Sequence, residues 1–318
     1  MTGPLSPGYA GATEHVPTQK IRELEIMAND TFDLDCDEDC FTSAPLSRRT
    51  FGAASVAAAS LAGINAATAQ GLDVTETDVE IVTPDGTCDA VYFHPTEGKH
   101  PGVLKWTDIM GLRPVFRDMG RRLASQGYSV LVPNPFYRDG PAPLPGPDFN
   151  FATDRDVAMK LMGNIAAPGA AERDAQTFVA WLDAQGQVDS NSKMGTTGYC
   201  MGGPLTMRTA GLLPDRIGAA GSFHGGGLAT DRDNSPHLLI PKMKVHYHIG
   251  IADNDDKREP EVKNILRAAF DAANVPATIK VYEGGDHGWC VPSSAVYNEA
   301  QAEAAWAALL DTFKAGLA

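Results

Sequence analysis

Short apolar strands alternating with amphipathic helices across residues 78–315 predict an α/β fold, a mostly parallel sheet covered by helices on both faces. Three observations carry this reading. Segments such as Gly102–Trp106 (GVLKW) and Tyr128–Val132 (YSVLV) are apolar nearly throughout, as strands buried on both faces are. Helical periodicity occupies the gaps between such segments. The glycine-rich turn Gly198-Tyr199-Cys200-Met201-Gly202 stands where one of these strands passes into a helix.

The elements follow in order. Asp78–Val82 and Ala90–Phe93 flank the turn TPDGT and read as a hairpin. After the strand Gly102–Trp106, Val115–Gln126 sets Phe116, Met119 and Leu123 on one helical face and stops at Gly127. The strand Tyr128–Val132 leads into PNPFYRDGPAPLPGP, a proline-rich loop of the kind that meets ligands over a rigid scaffold. Asp154–Met162 and Ala171–Ala184 read as helices. A strand then ends at Tyr199 and a helix begins at Met201. Ile217–Phe223 and Val245–Ile251 are strands, Glu261–Ala273 a helix, Ala277–Tyr282 a strand and Ala295–Ala315 the closing helix. No internal repeat or dinucleotide-binding glycine fingerprint is present.

The 318 residues carry a formal charge of −14, which argues against nucleic acid or an anionic membrane surface as the main partner. Residues 1–69 differ from the rest. An acidic run, DLDCDEDC, precedes Ser47-Arg48-Arg49-Thr50-Phe51, which resembles a twin-arginine export motif. A short alanine-rich stretch and the small-x-small site Ala67-Thr68-Ala69 follow, too weakly apolar for a stable membrane span. The expectation is an acidic segment plus leader over 1–69 and one α/β domain over 70–318. The leader would engage the twin-arginine export machinery and send the domain to the periplasm or outside the cell. Cys36 and Cys40 fall in the leader, an incomplete metal site. Cys88, Cys200 and Cys290 remain in the domain, where Cys88 and Cys290 could pair.

Gly198-Tyr199-Cys200-Met201-Gly202 has the form of a nucleophile elbow with cysteine in place of serine. Glycines two residues either side let strand and helix backbones pass closely, and the helix N-terminus offers N–H groups and positive potential to a thiolate. Asp253 follows one later strand and His287 the next. Nucleophile, acid and histidine thus occur in one order at strand carboxyl ends, where such sheets gather their sites.

With these residues the chain resembles the dienelactone hydrolase family, cysteine-using α/β-hydrolases, from about Glu80 to the C-terminus. The resemblance implies the α/β-hydrolase fold and a Cys200–His287–Asp253 triad. It also implies an oxyanion hole made by the backbone N–H groups of Ile109 and Met201. In Asp108-Ile109-Met110-Gly111, Asp108 matches the family's thiol-touching glutamate. In Phe136-Tyr137-Arg138, Tyr137 and Arg138 match a region whose arginine binds a substrate carboxylate and pairs with that glutamate. Trp289 is placed beside the substrate. Val291 stands where the family has a second carboxylate-binding arginine.

The implied activity is cleavage of a small-molecule carboxylic ester or lactone through a thioester acyl-enzyme, with no metal or other cofactor required. Two other classes stay open, a non-catalytic binder of small carbonyl compounds on this fold and a thiol redox protein using Cys200 with Cys290. His246 and His248 share a strand face at a zinc-compatible spacing, but no third ligand accompanies them. His224, just past a strand end, could line the pocket. Asp255 and Asp256 read as solvated loop residues, and Asp286, beside His287, as a competitor for its imidazole.

Overall fold

The computed structural model describes residues 71–146, 148–150 and 153–317. The acidic segment, the twin-arginine motif, the Ala67–Ala69 site, Cys36 and Cys40 all lie outside the described residues.

Eight strands form one sheet: β1 (Val74–Thr83), β2 (Gly86–Pro95), β3 (Gly102–Trp106), β4 (Ser129–Pro133), β5 (Met194–Tyr199), β6 (Ile217–Phe223), β7 (His246–Ala252) and β8 (Ala277–Tyr282). Their spatial order is β1-β2-β4-β3-β5-β6-β7-β8. The β1–β2 and β2–β4 pairs are antiparallel and every other pair is parallel. This is the α/β-hydrolase arrangement the resemblance implied. The hairpin is longer than periodicity suggested, pairing from Val74↔Pro95 to Thr83↔Gly86. Alternation stops being informative where both faces of β2 are buried.

Among the described residues seven α-helices accompany the sheet: α1 (Pro114–Ser125), α2 (Arg155–Ala166), α3 (Ala170–Asp183), α4 (Gly202–Leu212), α5 (Asp253–Arg258), α6 (Val262–Ala273) and α7 (Glu299–Gly316). Phe116, Met119 and Leu123 of α1 pack with Leu309 and Phe313 of α7 in one apolar core. Leu161 of α2, Phe178 of α3, Leu205 of α4 and Phe270 of α6 belong to the core of the other face. α7 starts at Glu299 rather than Ala295, because Asn298 caps it by accepting the Gln301 N–H. The sequence reading misses α5 altogether. Its six residues, DNDDKR, bury no side chain and carry no apolar periodicity.

β5 lies at the centre, between β3 and β6. Trp106 is in register with Gly198, and Tyr199 with Phe223. The chain leaving β3 at Thr107 therefore runs beside the turn that leaves β5 at Cys200. The parallel strands β3 to β8 bring their carboxyl ends to one rim, where loops distant in sequence meet.

Candidate active site

Cys200 sits between β5 and α4 with φ of +51°, a left-handed conformation that costs energy for a residue with a side chain. The surrounding glycines explain how the turn closes. A Cβ on Gly198 would lie 2.1 Å from the Gly202 carbonyl oxygen. One on Gly202 would lie 2.6 Å from the Thr107 oxygen. Strand, helix and the β3 loop therefore approach one another too closely for any side chain. The Cys200 N–H donates to the Phe223 carbonyl at 3.0 Å, and its own carbonyl accepts from Gly203 N–H at 2.9 Å. The thiol is thus fixed at the N-terminus of α4, next to Met201.

His287 lies in the loop after β8 and is buried. Its backbone N–H donates to Asn254 Oδ1 at 2.8 Å, and its Nδ1 is 2.7 Å from Asp255 Oδ2. Its imidazole stands beside Cys200 on the other side, close enough for the thiolate charge to favour the imidazolium. Burial pulls the imidazolium down, but Cys200 and Asp255 together hold it well above its ordinary value.

The acid is where the sequence reading needs correction. Asp253 does not meet His287. Its carboxylate accepts the Gly284 N–H at 3.1 Å and the Lys257 ammonium at 2.9 Å, tying α5 to the loop after β8. Asp255, read from sequence as a solvated loop residue, is the imidazole's partner, and it also takes Arg258 at 3.3 Å. The chain turns helical at Asp253, so the first acid after β7 points along the loop and the second turns towards the histidine.

The β3 loop holds Ile109, which is buried, in a turn closed by Gly111 N–H donating to the Asp108 carbonyl at 3.0 Å. Asp108 does not pair with Arg138, as the resemblance implied. It makes a bidentate pair with Arg113, at 2.6 and 2.8 Å, and accepts the Met110 N–H at 2.9 Å. The proline-rich loop packs on this turn: a Cβ on Gly111 would lie 2.3 Å from the Leu144 carbonyl oxygen.

Arg138 and Tyr137 serve another purpose. Arg138 bridges Asp85 of the hairpin turn (2.6 Å) and Asp174 of α3 (2.8 and 2.9 Å). Tyr137 donates its hydroxyl to Asp174 at 2.7 Å and meets the Thr83 hydroxyl at 2.8 Å. Both side chains are committed to joining the hairpin to α3, because Asp174 is buried and needs a cation and a hydroxyl to offset its desolvation. Arg138→Ala is expected to lower the unfolding free energy by about 2 kcal/mol. It should leave kcat/KM towards a neutral aryl ester within a few-fold of wild type, as denaturant titration and ester kinetics would check.

Trp289 is fully buried, stacked on Tyr282 at 5.0 Å and edge-on to His224 at 5.2 Å. It backs the site instead of lining a substrate cavity. His224 itself packs against His287, with ring centroids 4.9 Å apart. His248 bonds the Tyr282 hydroxyl at 3.0 Å while His246 is exposed, and no metal-ligating cluster occurs among the described residues. Cys88 and Cys290 are both free thiols, so the possible bridge between them is absent. Cys290 lines a cleft of about 140 Å³ between α1 and α7, with Tyr199 and Trp306. It belongs to a different apolar cluster from Cys200, and the two thiols are not bridged.

Comparison with known proteins agrees with this architecture. The family model for the dienelactone hydrolase family matches residues 88–317. A carboxymethylenebutenolidase of Rhodococcus opacus is 30% identical over 208 residues, covering 64% of this chain and 76% of that protein. The structure of a dienelactone hydrolase-like promiscuous phosphotriesterase from metagenomic libraries superposes with a TM-score of 0.61 at 21% identity, over 77% of this chain and 99% of that one. An acetyl xylan esterase of Paenibacillus sp. R4 gives 0.54 at 15% identity, over 77% and 84%. A match over more than two thirds of the chain, on an eight-stranded sheet of this order, places the protein among the hydrolases as a member of the dienelactone hydrolase family.

Proposed function

We propose that the protein hydrolyses a carboxylic ester or lactone, with Cys200 as nucleophile, His287 as general base and acid, and Asp255 holding the imidazole in its working tautomer. The observation that carries this reading is the 2.7 Å hydrogen bond from Asp255 to a buried imidazole that stands beside a thiol held in strained left-handed backbone at a helix N-terminus.

The thiolate adds to the carbonyl carbon, and the oxyanion rests on the backbone N–H groups of Ile109 and Met201. The carbon–oxygen bond then breaks, the leaving oxygen takes the proton from the His287 imidazolium, and a thioester remains on Cys200. Water, deprotonated by His287, attacks the thioester and releases the acid, returning the thiolate–imidazolium pair. A thiolate is itself a good leaving group, so a tetrahedral intermediate that carries an unactivated alkoxide expels the thiolate and returns the substrate. Enol esters and aryl esters therefore suit it better than alkyl esters, and amides are disfavoured.

The substrate class follows from which cations the site has. Arg138 is engaged by Asp85 and Asp174, Arg113 by Asp108, and Val291 is a buried apolar residue. A substrate carboxylate would find neither of the arginines the resemblance implied, and each lost charge-assisted contact is worth roughly 1.5–3 kcal/mol. A neutral lactone or activated ester fits this site better than a carboxylated dienelactone.

The test pairs a panel of lactones and aryl esters, with and without a carboxylate, with intact-mass analysis during turnover. The expected result is faster hydrolysis of the neutral members and an acyl adduct on the peptide containing Cys200. Turnover with the adduct on another residue, or an undiminished rate in Cys200→Ala, would overturn the mechanism. Binding without turnover of any ester would favour the non-catalytic reading.

A further inference from the structure

Two imidazoles pack together beside the elbow, and the mechanism above uses only one of them. His224 follows β6 directly and is buried, with φ of +40°, a left-handed conformation that its position in a strand-to-loop turn does not by itself require. Its N–H donates to the Gly250 carbonyl at 2.8 Å, which locks that conformation. Tyr199 at 6.0 Å and Trp289 at 5.2 Å hold its ring from two sides, and His287 packs on a third at 4.9 Å. Neither ring nitrogen has a hydrogen-bond partner among the described residues. The ring stands at the end of β6, directly beside the elbow: the Cys200 N–H donates to the carbonyl of Phe223, the residue before His224, at 3.0 Å. Backbone strain spent on aiming a buried polar ring at a nucleophile is the pattern of a functional residue.

We propose that His224 is a second catalytic imidazole, one that donates a ring N–H to the Cys200 thiolate and holds the sulfur in line for attack. This rests on the reading of Cys200 as the nucleophile. The charge distribution separates the two rings' duties. The titratable groups facing this cluster are Cys200 from the elbow, His287 from the loop after β8, Asp255 from α5 and the Tyr199 phenol from β5. Asp255 bonds His287 and not His224, so His287 takes the proton that leaves the thiol. Burial, then the neighbouring His287 charge, keep His224 below its ordinary value, against the opposing pull of Cys200 and Asp255. Two cationic rings whose centroids lie 4.9 Å apart in a buried site would repel strongly. A neutral ring has one donor and can spend it on the sulfur without competing for the proton.

The experiment needs no substrate. Iodoacetamide alkylation of Cys200, located by peptide mass, is followed against pH in wild type, His224→Phe and His224→Gln. Loss of the donor in His224→Phe should move the alkylation midpoint up by about one pH unit. It should also lower kcat/KM on an aryl ester by about 10- to 100-fold. His224→Gln, which keeps an N–H donor, should recover most of both. In wild type, alkylating Cys200 should shift the His224 ring nitrogen resonances, a readout that stands even if the phenylalanine variant does not fold. Superimposed alkylation profiles in wild type and the variants, or unmoved His224 resonances, would overturn the assignment while leaving the nucleophile in place. Cys200 alkylating in the native protein no faster at neutral pH than in the denatured chain would instead overturn the nucleophile itself.

Discussion

Asp255→Asn is expected to lower kcat/KM for an activated ester by about 10²–10⁴-fold, while Asp253→Asn stays within a few-fold of wild type. The two acids stand two residues apart on the same short helix, so the contrast isolates geometry from composition. Asp255 Oδ2 lies 2.7 Å from the His287 ring, buried beside Cys200. An amide there can present its N–H to Nδ1, which flips the imidazole to the wrong tautomer and removes the charge that supports the imidazolium. Asp253 instead accepts from Gly284 N–H and Lys257 on the protein surface. Its loss loosens the α5 anchor by about 0.5–1 kcal/mol and leaves the imidazole's partner in place. Steady-state kinetics on both variants, with thermal melts to confirm folding, decide the matter. Equal losses in the two variants would mean that α5 rearranges in turnover and that the resting contact is not the working one.

What could be read from sequence follows from how local each cause is. The elbow is legible because its reason is local: Gly198 and Gly202 must be small for the turn at Cys200 to close, and the spacing records that need. His287 is legible because it follows the last strand by five residues, and strand ends gather at one rim. The acid is not, since Asp253, Asp255 and Asp256 share one helical turn. Which of them turns towards the imidazole depends on a chain direction that no periodicity encodes. Arg138 illustrates the opposite case. Its resemblance to a substrate-binding arginine is genuine in sequence, but its partners Asp85 and Asp174 lie 53 and 36 residues away, and only the packing of α3 against the hairpin brings them together. Asp108 is similar on a shorter scale, because Arg113, five residues on, takes the carboxylate expected to reach the thiol. Position at a strand end was a reliable pointer to the site, whereas side-chain partnership was settled by long-range packing.

Lys105 leads to the second large expected effect, on stability. It is the fourth of the five residues of β3, in a run read from sequence as apolar nearly throughout, and it is fully buried. Its Nζ has no hydrogen-bond partner among the described residues, and its favourable contacts are the faces of Tyr199 at 4.0 Å and Phe116 at 5.5 Å from the ring centroids. Burial brings its pKa from 10.5 down to about 7, against the smaller opposing influences of Cys290 and Asp108. Lys105→Met keeps the length and apolar stem but removes the amine, and should raise the unfolding free energy by about 2–4 kcal/mol near neutral pH. The pH dependence identifies the cause. Below about pH 7 both folded and unfolded chains hold the proton, so the native state carries the full penalty of a buried charge. Between about 7 and 10.5 the unfolded chain binds a proton that the native one has released, so this lysine's contribution to stability becomes less unfavourable as pH rises, by about 1.4 kcal/mol per unit. The advantage of Lys105→Met over wild type should therefore shrink steadily across that window and reach its plateau below it. Urea titrations of both proteins at several pH values measure the difference. Two stability curves that run parallel from neutral to alkaline pH would show that the amine keeps its proton in the fold, and that the aromatic faces of Tyr199 and Phe116 solvate a cation in the centre of this sheet.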